Sequence, residues 1–130
     1  MQLSRVRILL VDDFKPWRRF ASLLLQGKPE LQVVGEASDG LEAVQKAAEL
    51  KPDLILMDIG LPTLNGIEAA RQIRELAPES KIIFVSQESS ADVVQEALSL
   101  GALGYVVKGQ AVSDLLAAVD AVMSGKKFCQ

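Results

Sequence analysis

Five short apolar runs, spaced almost evenly along the chain, constrain its fold more than any other feature. They begin at residues 8, 31, 54, 82 and 105, so successive starts lie 23, 23, 28 and 23 residues apart. Each interval is long enough for a strand, a crossover helix and two loops. Three of the runs are continuously apolar, which is typical of strands that are covered on both faces. The runs are residues 8–11, 31–34, 54–57, 82–85 and 105–107.

The segments between the runs have helical periodicity and helix-start signals. At Asp39, Asn65 and Ser89 a capping side chain stands three residues before an acidic one, and Pro16 suits the first turn of a helix. The pattern predicts a (βα)5 fold, a parallel sheet with helices on both faces. The second and fifth runs are the shortest and the least continuously apolar, which favours positions at the edges of the sheet. With right-handed crossovers, this predicts the flavodoxin-like strand order 2-1-3-4-5.

Composition excludes several classes of function. The chain has 130 residues, enough for one domain, and its single cysteine excludes an internal disulfide framework. It has no histidine, which excludes a Ser-His-Asp triad and the usual imidazole zinc sites. Its net charge of −3 matches nucleic acid poorly. No apolar run approaches the roughly 20 residues of a membrane span, and no signal peptide is recognised, so we expect a cytoplasmic protein.

Four of the five predicted strands end in residues that can carry chemistry. Strand one is followed by Asp12 and Asp13, strand three by Asp58, strand four ends at Ser86, and strand five is followed by Lys108. Ligands of open α/β sheets bind beyond the carboxyl ends of the strands. Three carboxylates at one edge repel each other unless a cation neutralises them. Oxygen ligands without His or Cys favour Mg²⁺ (or Mn²⁺), and an added hydroxyl and lysine suit phosphoryl transfer.

Each of these residues has an ordinary structural explanation when it stands alone. An Asp pair after a strand is often a helix cap, Ser86 could be a turn residue, and Lys108 could be a solvated charge. Their coincidence at one edge favours a functional site. The glycine-rich phosphate-binding motifs of nucleotide-binding folds are missing from the sequence. A haloacid-dehalogenase-like phosphatase needs a second Asp two residues after its nucleophile, and position 60 is Gly.

With these residues placed, the chain resembles the receiver domain of two-component response regulators. The resemblance covers residues 5–125 and is most specific over residues 53–70; within the family the chain looks most like the NarL/FixJ branch. It implies that Asp58 accepts a phosphoryl group from a sensor histidine kinase or phosphotransfer protein. It also implies roles for the other residues: Asp13, Asp58 and the Gly60 carbonyl as Mg²⁺ ligands, Asp12 as a ligand through water, Lys108 and Ser86 as phosphoryl contacts, and Tyr105 as a rotamer switch.

The resemblance further implies a regulator rather than a multiple-turnover enzyme. Residues 1–125 would be the receiver, and 126–130 would begin a linker to an absent LuxR-type DNA-binding domain that controls transcription. The face formed by the fourth helix, fifth strand and fifth helix would carry the signal and could form a homodimer; DNA would be contacted only through the output domain. The alternative is a Mg²⁺-dependent phosphohydrolase that acts on external substrates.

Gly109, Trp17 and Arg18 each carry a local expectation. The family often has a cis proline after its lysine; here the residue is Gly109, so we predict a trans Lys108–Gly109 bond. Trp17 shares a helical face with Phe20 and is expected to cover the core. Arg18 is expected to be solvated.

Overall fold

The computed structural model describes residues 5–129, which form five parallel strands alternating with five α-helices. Residues 1–4 and 130, at the outer limits of the predicted domain and linker, lie outside the described residues. The sheet order is β2-β1-β3-β4-β5, so the predicted flavodoxin-like topology is confirmed. The strands are β1 Val6–Val11, β2 Leu31–Ala37, β3 Leu54–Met57, β4 Lys81–Ser86 and β5 Gly104–Val107. The helices are α1 Lys15–Leu25, α2 Gly40–Leu50, α3 Gly66–Leu76, α4 Ala91–Ser99 and α5 Ala111–Met123.

The core lies in two layers, one on each face of the sheet. Side chains alternate along β1, so that Ile8 and Leu10 pack toward α1 and α5 while Leu9 and Val11 pack toward α2 and α3. All four residues of β3 are buried, which explains why its sequence is continuously apolar. Burial on both faces fixes the central strands and hence the positions at which they end.

The helix starts agree with the sequence except at α4. Asp39 and Asn65 cap α2 and α3 as predicted, accepting backbone hydrogen bonds of 2.8 and 3.0 Å. The prediction of Ser89 as the cap of α4 was wrong by one residue, because Ser90 has the extended backbone of a cap and accepts from the third helical N–H. Asp92 nevertheless remains in the first turn, where its charge favours the helix N-terminus.

Residues beyond α5 turn back onto the outer edge of β5. Gly125 makes the turn with a φ of 87°, a conformation that glycine adopts readily. Phe128 then forms a parallel bridge with Gly104: its N–H donates to Leu103 and its carbonyl accepts from Tyr105, both at 2.9 Å. The region predicted to begin a linker is therefore hydrogen-bonded to β5.

Two further predictions concern the backbone and the helices. Every peptide bond among the described residues is trans, which confirms the prediction for Lys108–Gly109. These two residues lie in a short 3-10 helix, Lys108–Gln110, that connects β5 to α5. Across residues 5–129, none of the helices has both the length and the apolar character needed to span a membrane.

Candidate functional site

The carboxyl edge of the sheet collects the polar residues that follow its strands. The register pairs Val11 with Met57, so the residues that follow β1 and β3 are neighbours. One carboxylate oxygen from each of Asp12, Asp13 and Asp58 lies within 4.8 Å of the others. The predicted closeness of these three carboxylates is confirmed.

Asp12 is buried, and Lys108 is its charged partner. Its side chain is 2% exposed, and Oδ1 accepts a 2.9 Å hydrogen bond from the N–H of Phe14. Oδ2 lies 2.7 Å from Nζ of Lys108 and forms an ion pair with it. Burial raises the pKa of Asp12; the Lys108 ammonium and the Phe14 amide oppose that rise, and the Asp58 charge adds to it. A further cation at this edge would therefore favour the charged form of Asp12.

Asp58 is held from both sides directly after β3. Its Oδ1 accepts a 2.7 Å hydrogen bond from the N–H of Ile59 and a 3.4 Å bond from Gly60. Its Oδ2 accepts from Nζ of Lys108 at 3.2 Å. The first residue of α3, Gly66, packs so closely that a Cβ there would lie 2.2 Å from the Asp58 carbonyl oxygen. The loop after β3 therefore needs glycine at position 66 to keep Asp58 in place.

Lys108 bridges the acids from the end of β5. Its side chain is 14% exposed and pairs with both Asp12 and Asp58. Burial alone would lower the pKa of Lys108, but the two carboxylates outweigh it and raise the pKa, so the amine stays protonated at neutral pH. Nζ also lies 5.2 Å from the centre of the Trp17 ring, within range of a cation–π contact. Trp17 packs against the core as predicted, whereas its contact with Lys108 was not predicted.

Ser86 and Tyr105 are both tied to the loop that precedes α4. Ser86 is 4% exposed, and its Oγ accepts a 3.2 Å hydrogen bond from the N–H of Glu88. The Tyr105 hydroxyl donates a 2.6 Å bond to the Glu88 carbonyl. Burial raises the pKa of Tyr105. The sequence singled out Ser86 and Tyr105, but their shared link through Glu88 depends on loop conformation and was not predicted.

The remaining predicted residues line one open cavity. Asp13, Asp58, Gly60, Ser86 and Lys108 all face it. The structure thus brings together all the residues assigned to metal and phosphoryl contacts. Asp12 lies buried beneath the cavity, with a carboxylate oxygen within 4.8 Å of those of Asp13 and Asp58 and an ion pair with Lys108. Tyr105 lies outside the cavity lining and connects to it through Glu88.

The prediction that Arg18 is solvated was wrong. Its side chain is 14% exposed rather than solvated. Nη1 donates a 2.6 Å hydrogen bond to the Asp12 carbonyl, and Nε donates a 2.8 Å bond to Oε1 of Glu36 on β2. No pattern in the sequence indicates this contact, because it requires the position of β2 relative to the first turns of α1.

The donor set fits Mg²⁺ or Mn²⁺. Three carboxylates within reach of one ion, without sulfur or imidazole, are the hard oxygen ligands that these cations prefer. The Lys108 ammonium pairs with both Asp12 and Asp58, so it is shared at an edge where three carboxylates meet. An acidic triad of this kind, at the switch point of an open α/β sheet, is suited to binding a divalent ion next to a phosphoryl group.

Comparison with known proteins agrees with this geometry. Residues 8–120 match the family described as the response regulator receiver domain. The chain is 47% identical over 105 residues to a protein-glutamate methylesterase/protein-glutamine glutaminase of Thermotoga maritima. It is 37% identical over 121 residues to the transcriptional regulatory protein LiaR of Bacillus subtilis. The crystal structure of a LuxR-family two-component response regulator from an Aurantimonas species is similar with a TM-score of 0.91 at 34% identity, covering 96% of this chain and 89% of that one.

The chain spans only part of these curated relatives. The alignment covers 79% of this chain but 30% of the methylesterase, and 93% of this chain but 57% of LiaR. The similarity to these relatives therefore concerns one segment of each of them.

Proposed function

The chain belongs to the response regulator receiver domain family, as the sequence predicted, and from this premise we propose that Asp58 is its phospho-acceptor. The phosphoryl group would come from a phosphohistidine on a sensor histidine kinase or phosphotransfer protein in the cytoplasm. The observation that carries the proposal is the convergence of the Asp12, Asp13 and Asp58 carboxylates, two of which, those of Asp12 and Asp58, pair with the Lys108 ammonium. Because these 130 residues contain no histidine, the donor imidazole comes from outside them.

The transfer is a displacement at phosphorus. A carboxylate oxygen of Asp58 forms a bond to phosphorus as the donor's phosphorus–nitrogen bond breaks, and the electron pair of that bond returns to the imidazole nitrogen. Lys108, 3.2 Å from Oδ2 of Asp58, lies where its charge compensates the phosphoryl oxygens. Mg²⁺ would be held by Asp13, Asp58 and the Gly60 carbonyl, with Asp12 acting through water. When bound, it neutralises the accumulating negative charge.

The arrangement around Glu88 supports a switch that follows phosphorylation. If the Ser86 hydroxyl turns to donate to a phosphoryl group on Asp58, its hydrogen bond from the Glu88 N–H is disturbed. The Glu88 carbonyl, which anchors the Tyr105 hydroxyl, then shifts as well. We propose that this change reaches the face formed by α4, β5 and α5, where a homodimer or an output domain can respond to it.

An aromatic surface beside the acceptor cavity supports docking of the phosphohistidine-bearing partner. Phe14 is 61% exposed and Phe20 is 38% exposed, and with Trp17 they line a groove that also includes Lys108. Phe14 and Lys108 line the acceptor cavity too, so the groove and the cavity are continuous. A partner seated on the groove would hold its phosphohistidine next to Asp58.

The output of the whole protein is also a proposal. LiaR, a relative along 93% of this chain, is a transcriptional regulatory protein, which favours a DNA-binding output joined through a linker that begins at residues 126–130. The methylesterase relative supports an enzymatic output as the competing possibility. In either case the segment from 1 to 125 acts as the regulatory unit, and any DNA contact is made by the output domain.

The test is phosphorylation by a small donor. The chain is incubated with acetyl phosphate and Mg²⁺, and its intact mass is measured. We expect at most one phosphoryl group per chain and none in Asp58→Asn, whereas Asp120→Asn, an exposed aspartate on α5, should behave as wild type. Release of many equivalents of phosphate per chain would favour the phosphohydrolase alternative. No adduct on a folded chain would contradict the proposal.

A further inference from the structure

Arg18 fixes the backbone of the two acidic residues that follow β1. Its guanidinium spans from the Asp12 carbonyl, at 2.6 Å, to the carboxylate of Glu36, at 2.8 Å. Its neighbour Arg19 is exposed, although both arginines lie on the same helix. The half-buried, two-point contact of Arg18 is therefore a particular feature of this position and not a general property of basic residues on α1.

The carbonyl that Arg18 binds belongs to the peptide joining Asp12 to Asp13. Because a peptide unit is planar, fixing the direction of its carbonyl fixes the direction in which Asp13 leaves. The N–H of Asp12 is fixed independently by a 3.0 Å hydrogen bond to the Ala37 carbonyl on β2. Asp12 is thus held at both ends, and Arg18 holds the end that determines where Asp13 projects.

We propose that Arg18 is a positioning residue for the divalent-cation site, acting through the peptide between Asp12 and Asp13. This inference rests on the proposed function, because it assumes that the three carboxylates bind Mg²⁺ or Mn²⁺. The guanidinium touches no carboxylate of the cluster; it sets the relative placement of two ligands by holding the main chain that connects them. Its anchor on β2, Glu36, keeps the guanidinium from following the loop.

The positioning role and the charge of Arg18 predict opposite effects on metal affinity. A cation close to the site repels a divalent ion, so its removal should strengthen binding if charge alone matters. If the contact with the Asp12 carbonyl matters more, its removal should weaken binding, since loosened ligands bind metal less tightly. The sign of the change therefore separates the two roles.

The experiment measures the Mn²⁺ dissociation constant from the free-ion signal in electron paramagnetic resonance at constant ionic strength. We expect about tenfold weaker binding in Arg18→Ala. Arg18→Lys keeps the charge and much of the packing but cannot donate in two directions from one plane, so we expect about threefold weaker binding. Arg19→Ala is the matched control and should bind as wild type does. Near-UV circular dichroism confirms that each variant is folded.

The outcomes distinguish this inference from the proposed function. If the wild type binds Mn²⁺ and both Arg18 variants bind it more weakly, the positioning role is supported. If the wild type binds Mn²⁺ but Arg18→Lys binds it equally well, or Arg18→Ala binds it more tightly, the positioning role is overturned. The proposed metal site is not affected by that outcome. If the folded wild type fails to bind Mn²⁺, both the metal site and the role of Arg18 are overturned.

Discussion

Replacing Asp13 by Asn should stabilise the metal-free chain. An oxygen of Asp13 lies within 4.8 Å of oxygens of Asp12 and Asp58, and no hydrogen bond or ion pair of its carboxylate is found among residues 5–129. The substitution therefore removes two like-charge contacts, which the Lys108 ammonium, paired with Asp12 and Asp58, offsets only in part. Asn has nearly the same volume, so packing changes little.

The magnitude follows from the spacing and the exposure of Asp13. Two unit charges 4.8 Å apart repel by about 1 kcal/mol with water-like screening and by about 3.5 kcal/mol at an effective dielectric constant of 20. Asp13 is exposed, so the lower value applies to each of its two contacts. We expect Asp13→Asn to raise the free energy of unfolding by about 1–2 kcal/mol at low salt, and by less in about 1 M salt, where the Debye length is roughly 3 Å.

Urea unfolding in the presence of EDTA and of Mg²⁺ measures this effect. In EDTA, Asp13→Asn should be more stable than wild type, whereas the control Asp120→Asn should change by less than about 0.5 kcal/mol. In Mg²⁺ the difference in the free energy of unfolding between Asp13→Asn and wild type should become smaller or change sign. Bound metal stabilises only the chain that retains the full site. A folded Asp13→Asn that is less stable than wild type in EDTA would refute the argument from charge repulsion.

Three further predictions concern local features. Glu42 accepts a 2.7 Å hydrogen bond from the N–H of Ser38, which lowers the pKa of Glu42. Glu42→Gln should therefore reduce the free energy of unfolding by about 0.5 kcal/mol at neutral pH, and this deficit should disappear in urea titrations as the pH falls below the ordinary value of 4.5. Gly66→Ala should cost about 3 kcal/mol in the same assay, because its Cβ would meet the Asp58 carbonyl; unchanged stability would show that the loop can move. Phe20→Ala should slow transfer from a phosphohistidine donor about tenfold and leave phosphorylation by acetyl phosphate unchanged, and equal slowing of both reactions would contradict docking on the groove.

The topology could be predicted from the sequence because the apolar character of each strand matches its position in the sheet. Strand β3 is apolar at every position and lies at the centre, while the weaker runs of β2 and β5 lie at the edges. Once the order of the strands is known, the convergence of Asp13, Asp58 and Lys108 follows from the common edge at which parallel strands end. The placement of these residues could therefore be predicted without knowledge of any side-chain conformation.

Arg18 shows why the rest could not be predicted. Its partner Glu36 stands opposite Leu10 because a β-bulge shifts the register between β1 and β2, so that Leu9 pairs with Gly35 rather than with Val34. A bulge of this kind leaves no clear signature in the sequence, and without it Glu36 cannot be placed. The choice of Ser90 over Ser89 is a similar case, since either serine can cap a helix and only backbone geometry decides between them.

The most direct test of the central claim is to identify the atom that receives the phosphoryl group. After incubation with acetyl phosphate and Mg²⁺, borohydride reduces an acyl phosphate to the corresponding alcohol, and mass spectrometry of the digested chain locates the reduced residue. We predict reduction at Asp58 alone, dependent on Mg²⁺. Reduction at Asp12 or Asp13 instead, or no reduced residue in a chain that is folded and binds metal, would contradict the account.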